Sequence, residues 1–314
     1  MAETGTLAVP GALLHYEVRG SGPLLLLIGG GNSDAAVFGS LAARLAVDHR
    51  VLTFDPRGNS RSPLVGPPVD QRVEVHADDA ARLLARVAAP DEPVRIFGSC
   101  SGGLIALHLA TRSHSCSHSC SCSGSCSCSG ARSCSCAGSR LRERISALVV
   151  HEPPAFALLP DAAERLAFVD AVHATYRREG IPAATEQFSA VFGGRPAPVL
   201  PEANDNTDFF LAHVMRPFTR HVPDLAALAP LTGRLTVAGG QDSRTHDVHR
   251  PAVALAERLG KELVLFPGGH VGYAKQPAAF ARLLRETLAG ERRAGGARRD
   301  VHDASVGGAP VGSG

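Results

Sequence analysis

Along the chain, short apolar runs alternate with longer stretches of helical periodicity. LLLLI at 24–28, RVLTF at 50–54, VRIF at 94–97, ISALVV at 145–150, LTVAG at 235–239 and ELVLF at 262–266 are mostly without the apolar/polar alternation of a half-exposed strand. Such runs predict strands buried on both faces of a parallel sheet. Between them, 35–47, 73–88, 102–111, 250–259 and 277–289 read as helices. In 73–88, Val73, Ala77, Ala80, Leu84 and Val87 fall on one face. Residues 6–20 alternate around Pro10-Gly11, a hairpin signal. Strand and helix in turn imply right-handed crossovers and an α/β fold, a mostly parallel sheet with helices on both faces.

Two regions depart from that rhythm. Residues 153–225 carry helical stretches with proline breaks and no buried strand, which predicts a helical cap inserted into a core built from 1–152 and 226–290. Residues 291–314 are rich in glycine and arginine without periodicity and are expected to be disordered. Within the core, 113–139 is a low-complexity Ser/Cys tract holding seven of the eight cysteines. Removing it joins LATR directly to LRERISALVV, so it reads as an expansion of a surface loop, which costs little entropy. Its Cys-x-Cys pairs (120/122, 126/128, 134/136), with His114 and His118, are potential soft-metal ligands. They lack the Cys-x2-Cys knuckles of structural zinc sites, and seven is odd for disulfides. No metal or other cofactor is therefore expected.

Composition narrows the partner. With 44% hydrophobic and 20% charged residues over 314 positions, the chain can bury a large core. A net charge of +2 gives no basic surface for nucleic acid or anionic lipid. The start, MAETGTLAVPGALLHYEVRG, has no basic-then-apolar leader, and PLLLLI at 23–28 is too short to span a bilayer. The expectation is a cytoplasmic protein acting on a small molecule.

The chemistry concentrates at VRIFGSCSGGLIA, 94–106: strand, tight small-residue turn, helix. That is the plan of a nucleophile elbow, whose crowded turn lifts the tip side chain above the sheet. Gly98-Ser99-Cys100-Ser101-Gly102 puts Cys100 at the tip; shifting the frame by one puts Ser101 there, with an extra residue after the strand. Cys100 is the better fit. Other turns accompany it: IGGGN at 28–32, FDPRGNSRS at 54–62, AGGQD at 238–242 and PGGHVGY at 267–273. In this order the chain resembles the α/β-hydrolase superfamily over about 1–290, the Ser/Cys tract apart. It departs in having Gly29 where the oxyanion turn usually has His, Ser60 for the second Gly of the Asp-x-Arg-Gly-x-Gly-x-Ser turn, and Cys100 for Ser.

The resemblance implies an acyl-enzyme hydrolase of the esterase or lactonase type. His270, following a strand in a Gly-rich turn, is the expected base. Asp242, following LTVAGG, is preferred as its orienting acid, with Glu152 after ISALVV as the alternative. The oxyanion calls for two N–H donors: Ser101, after the nucleophile, and Gly31, where the resemblance puts the second. The glycines are no phosphate loop, since no Lys-Ser/Thr follows. Asp55 and Arg57 read as an ion pair holding their turn. A cysteine tip is similar to that of dienelactone hydrolase and suits esters, lactones and thioesters. A weakly active or inactive small-molecule binder, or an acyltransferase, stays open as an alternative.

Overall fold

The computed structural model describes residues 2–112, 137–194 and 205–290. The cysteine pairs of the Ser/Cys tract and the 291–314 tail lie outside the described residues.

Eight strands form one sheet: β1 Glu3–Val9, β2 Ala12–Arg19, β3 Leu24–Ile28, β4 Arg50–Phe54, β5 Val94–Ser99, β6 Ile145–His151, β7 Leu235–Gly240 and β8 Val264–Phe266. Their order is β1-β2-β4-β3-β5-β6-β7-β8. β1, β2 and β4 pair antiparallel, and every other neighbour is parallel. The chain turns between β1 and β2 at Pro10-Gly11, with Gly11 at φ 78°. The last strand is shorter than its apolar run, beginning only at Val264.

The apolar runs are explained by what covers each face. Alternate residues of a strand point to opposite sides of the sheet. Leu24, Leu26 and Ile28 pack with Ile96, Leu148 and Val150 on one side, beneath helices α2 (Val73–Val87) and α3 (Ser101–Thr111). Leu25 and Leu27 pack with Phe97 and Val149 on the other, against α1 (Gly39–Leu45) and the helix Pro277–Leu288. Both faces are dry, so neither can be polar. A further helix, α4 (Ala137–Arg144), leads into β6.

Between β6 and β7 the described chain is helical, with α5 (Ala162–Glu179), α6 (Ile181–Phe188) and the helix Met215–Arg220. Phe156, Val169, Val172, Leu211 and Met215 give this region its own apolar cluster, set over the carboxyl ends of the strands. Among the described residues no helix is long and apolar enough to cross a membrane.

The turn at 55–62 is held differently from the sequence expectation. Asp55 and Arg57 are not partners. Asp55 is fully buried and receives Arg61 through Nε at 2.8 Å and Nη2 at 2.9 Å. Arg57 points the other way and grips Asp79 of α2 through two bonds of 2.6 Å. Adjacent turn residues face opposite walls, which spacing along the chain could not reveal. The Arg57–Asp79 pair is buried, so removing one partner strands a charge in a dry site. Arg57→Met is expected to lower stability by about 3–5 kcal/mol, read as a lower midpoint in urea unfolding. A shift within error would show that the pair does not hold α2 to the turn.

Candidate active site

At the end of β5 the backbone must turn sharply into α3. Cys100 makes that turn at φ 54°, ψ −128°, a conformation that favours glycine. Its neighbours make the turn possible. A side chain at Gly98 would collide with the carbonyl of Gly102, and one at Gly102 with the carbonyl of Ile28. Strand and helix backbones cross there with no room for a Cβ. The strain is held by Cys100 N–H donating to His151 O at 2.9 Å and Gly103 N–H donating to Cys100 O at 2.8 Å. Ser101 is the first residue of the helix and is buried; its Oγ lies 4.0 Å from Cys100 Sγ. The tip of the turn is thus Cys100, and Ser101 sits one residue past it.

His270 follows β8 in the turn that the sequence marks. Its Nδ1 lies 2.8 Å from a carboxylate oxygen, and that carboxylate is Glu152. The preference for Asp242 is corrected by this geometry. Asp242 is exposed on the β7–β8 side, and its backbone N–H donates to Gly268 O at 3.0 Å. Glu152 comes directly after β6 at φ 45° and has no solvent exposure. β6 lies beside β5, so its end brings Glu152 next to the elbow, whereas Asp242 follows β7, one strand further away.

Glu152 is enclosed by donors. Oε2 faces His270; Oε1 accepts from Gly240 N–H at 2.8 Å, from the Ser243 hydroxyl, and from His249 Nδ1 at 2.8 Å. Burial alone pushes its pKa up, but hydrogen bonds from His249 and His270 and the charge of His270 outweigh it, holding the carboxyl well below the usual carboxylate range. His249 and Ser243 escaped the sequence reading; no spacing signal marks either as a partner of a residue some ninety positions earlier.

His270, held at Nδ1 by Glu152, also interacts with Cys100 through charge and a side-chain hydrogen bond. Burial lowers the pKa of this imidazole, but the Cys100 thiolate and Glu152 raise it to about 10. For Cys100, burial pushes the thiol up; the His270 charge and hydrogen bond, with the N–H and hydroxyl of Ser101, bring it below the ordinary thiol value. Each group thus favours the charged form of the other, thiolate beside imidazolium. His151, the residue before the acid, is fully buried, and desolvation lowers it to about 4, so it is neutral. Tyr273 is buried beside the thiolate; desolvation and that charge push its hydroxyl up, and it stays a phenol.

The Gly-rich turn after β3 lies against the elbow. A Cβ at Gly30 would stand 3.4 Å from Cys100 Cβ and 3.7 Å from Sγ, so glycine lets the backbone close on the tip. Gly31 is packed among Phe210, Ser101 Oγ and Val214. Asn59 ties the turn down, donating to Gly31 O at 3.0 Å and Ser33 O at 2.8 Å. Above these groups is a cavity of about 830 Å³, floored by Gly30, Cys100, Ser101 and His270 and walled mainly by apolar side chains from the helical region. Phe192 sits over His270 with ring centroids 5.3 Å apart. Among the described residues no group of three or more His, Cys, Asp or Glu side chains could hold a metal ion.

The profile of the Alpha/beta hydrolase family matches residues 25–283. The chain belongs to that family. It is 33% identical over 302 residues to an uncharacterized hydrolase, YraK, of Bacillus subtilis (strain 168), covering 92% of this chain and 97% of that one. Among solved structures it is similar to a thermophilic esterase from Thermogutta terrifontis, with TM-score 0.64, 20% identity, and 92% and 98% of the two chains covered. It is also similar to the enol-lactonase from Burkholderia xenovorans LB400, with TM-score 0.53, 17% identity, and 91% and 100% covered. This α/β-fold hydrolase therefore carries a cysteine at the tip of its elbow and a glutamate after β6.

The charge state has a pH signature. The thiolate is lost as pH falls through the lowered thiol pKa, and the imidazolium is lost as pH rises through about 10. Iodoacetamide labelling of Cys100 should have its midpoint below that of a free thiol, and His270→Ala should move it upward. Equal midpoints would refute the ion pair. Glu152→Gln should cut turnover about 10²–10⁴-fold, while Asp242→Asn should leave it within about twofold, inside the range of a neutral surface substitution. The reverse order would restore Asp242 as the acid.

Proposed function

We propose that this hydrolase cleaves carboxylic esters, lactones or thioesters through an acyl-thioester on Cys100. The observation that carries the reading is the line Cys100–His270–Glu152, thiol to imidazole to buried carboxylate, at the floor of an apolar cavity. Each member has the chemistry its position calls for: a nucleophile whose thiol ionises more readily than a free one, a proton carrier, and a group that holds the ring.

The steps balance as follows. The Cys100 thiolate attacks the carbonyl carbon, forming a C–S bond and moving the π pair to oxygen. The N–H groups of Gly31 and Ser101 hold that oxyanion. Collapse breaks the bond to the leaving alkoxide or thiolate, which takes the proton from His270. Water then gives a proton to His270 and attacks the thioester carbon. Collapse expels the Cys100 thiolate, regenerating the ion pair and releasing the acid. Neutral His270 is the base for the water step, and Glu152 keeps its Nδ1 protonated and its other nitrogen toward the reaction throughout.

The cavity supports an apolar acyl group. Phe156, Phe188, Phe192, Phe210, Leu211 and Met215 line it, and a volume of about 830 Å³ exceeds what an acetyl group fills. Each buried methylene contributes about 0.8 kcal/mol, so kcat/KM should rise about fourfold per added methylene from p-nitrophenyl acetate toward longer acyl chains until the cavity is full. The first test is p-nitrophenyl butyrate turnover with peptide mass mapping of rapidly quenched protein. The acyl mass belongs on Cys100. Acyl on Ser101 would overturn the choice of nucleophile. Folded protein with neither turnover nor adduct would overturn ester hydrolysis and favour the ligand-binding alternative.

A further inference from the structure

Resting on the reading of Glu152 as the orienting acid, we infer that His249 is a positioning residue for the reaction, a second imidazole whose Nδ1–H fixes the carboxylate that fixes His270. The two histidines divide Glu152 between them, one oxygen each, both at 2.8 Å. A carboxylate held at one oxygen can still rotate about its last torsion, which is broad for this side chain. Held at both, it presents one lone pair in one direction. The groups facing it are the imidazoles of His151, His249 and His270, the Ser243 hydroxyl and the Gly240 N–H. Of the donors on Oε1, His249 brings the largest rigid body.

The fold has cleared space for that ring. His249 is buried, at 4% exposure, and lies against the backbone of β7, where a Cβ at Gly239 would overlap its Cε1. A glycine at 239 is thus required for the imidazole to reach the acid. Since Glu152 is ionised and buried, His249 must offer it a proton from Nδ1, which sets the tautomer.

The same loop reaches the cavity wall. Val248 N–H donates to Val191 O at 3.0 Å, and Asp247 receives Arg165 of α5 at 2.6 Å. Val191 is followed by Phe192, whose ring covers His270. A ring of contacts therefore closes through Glu152, His249, Val248, Val191, Phe192 and His270.

The test compares His249→Leu, which keeps bulk and removes the donor, with His249→Asn, whose amide N–H lies near the place of Nδ1. The readouts are kcat and KM for p-nitrophenyl butyrate and the pH midpoint of Cys100 labelling. His249→Leu should lose about a hundredfold in kcat, as expected when a catalytic group is displaced by about 1 Å, with KM within about twofold on that same argument. Its labelling midpoint should move up toward a free thiol. His249→Asn should recover most of both. Should the Leu variant not fold, Asn against Gln makes the same comparison, because the Gln amide lies nearer the place of Nε2. Wild-type kcat and midpoint in a folded Leu variant, or equal impairment of Asn and Leu, would overturn the role of the Nδ1–H. Wild-type protein without an acyl-Cys100 and without a lowered midpoint would instead overturn the reading of the site on which this proposal rests.

Discussion

A negative charge with no access to water organises this molecule. Glu152 is fully buried, and a carboxylate in that position costs several kcal/mol unless donors replace its hydration. The surrounding architecture supplies them. β7 ends so that the Gly240 N–H points at Oε1, the loop after it returns Ser243 and His249, and the turn after β8 brings His270. Even the backbone bends to it, since Glu152 itself stands at φ 45°. Three separate chain segments therefore converge because one charge must be satisfied. The convergence fixes the ring of His270, whose pKa is raised first by Cys100 and then by Glu152, and the His270 charge in turn lowers the thiol of Cys100.

The second constraint is steric. The elbow exists only where β5, α3 and the end of β3 approach with no side chain between them, at Gly98 and Gly102. That closeness puts the start of a helix, with its free N–H groups and positive end, directly under the sulfur. A thiolate gains more from such a place than a hydroxyl does, because its charge is present before the reaction begins. Cysteine thus changes what the site favours: its thiol, unlike a serine hydroxyl, is drawn toward ionisation before any substrate arrives.

The helical region between β6 and β7 walls the cavity above that sulfur. Its apolar cluster is separate from the two that flank the sheet, so it can vary without disturbing the strands. It is nevertheless tied to the chemistry at a few points: Phe192 on His270, Val191 on Val248, Arg165 on Asp247.

The chain alone made the fold legible, because strands buried on both faces leave unbroken apolar runs and a backbone crossing leaves glycines. Strand ends, the elbow frame and His270 could be read for that local reason. The acid could not be chosen that way. Glu152 and Asp242 both follow strands, and which one meets His270 depends on where the folded loops place their donors, around Glu152 and not around exposed Asp242, with no trace in spacing. The same blindness separated Asp55 from Arg57, neighbours in sequence that face Arg61 and Asp79. It also hid His249, whose partner lies ninety-seven residues away. Local sterics and hydrophobic period are written residue by residue, while the pairing of buried charges is settled only when distant segments share one enclosed, low-dielectric space.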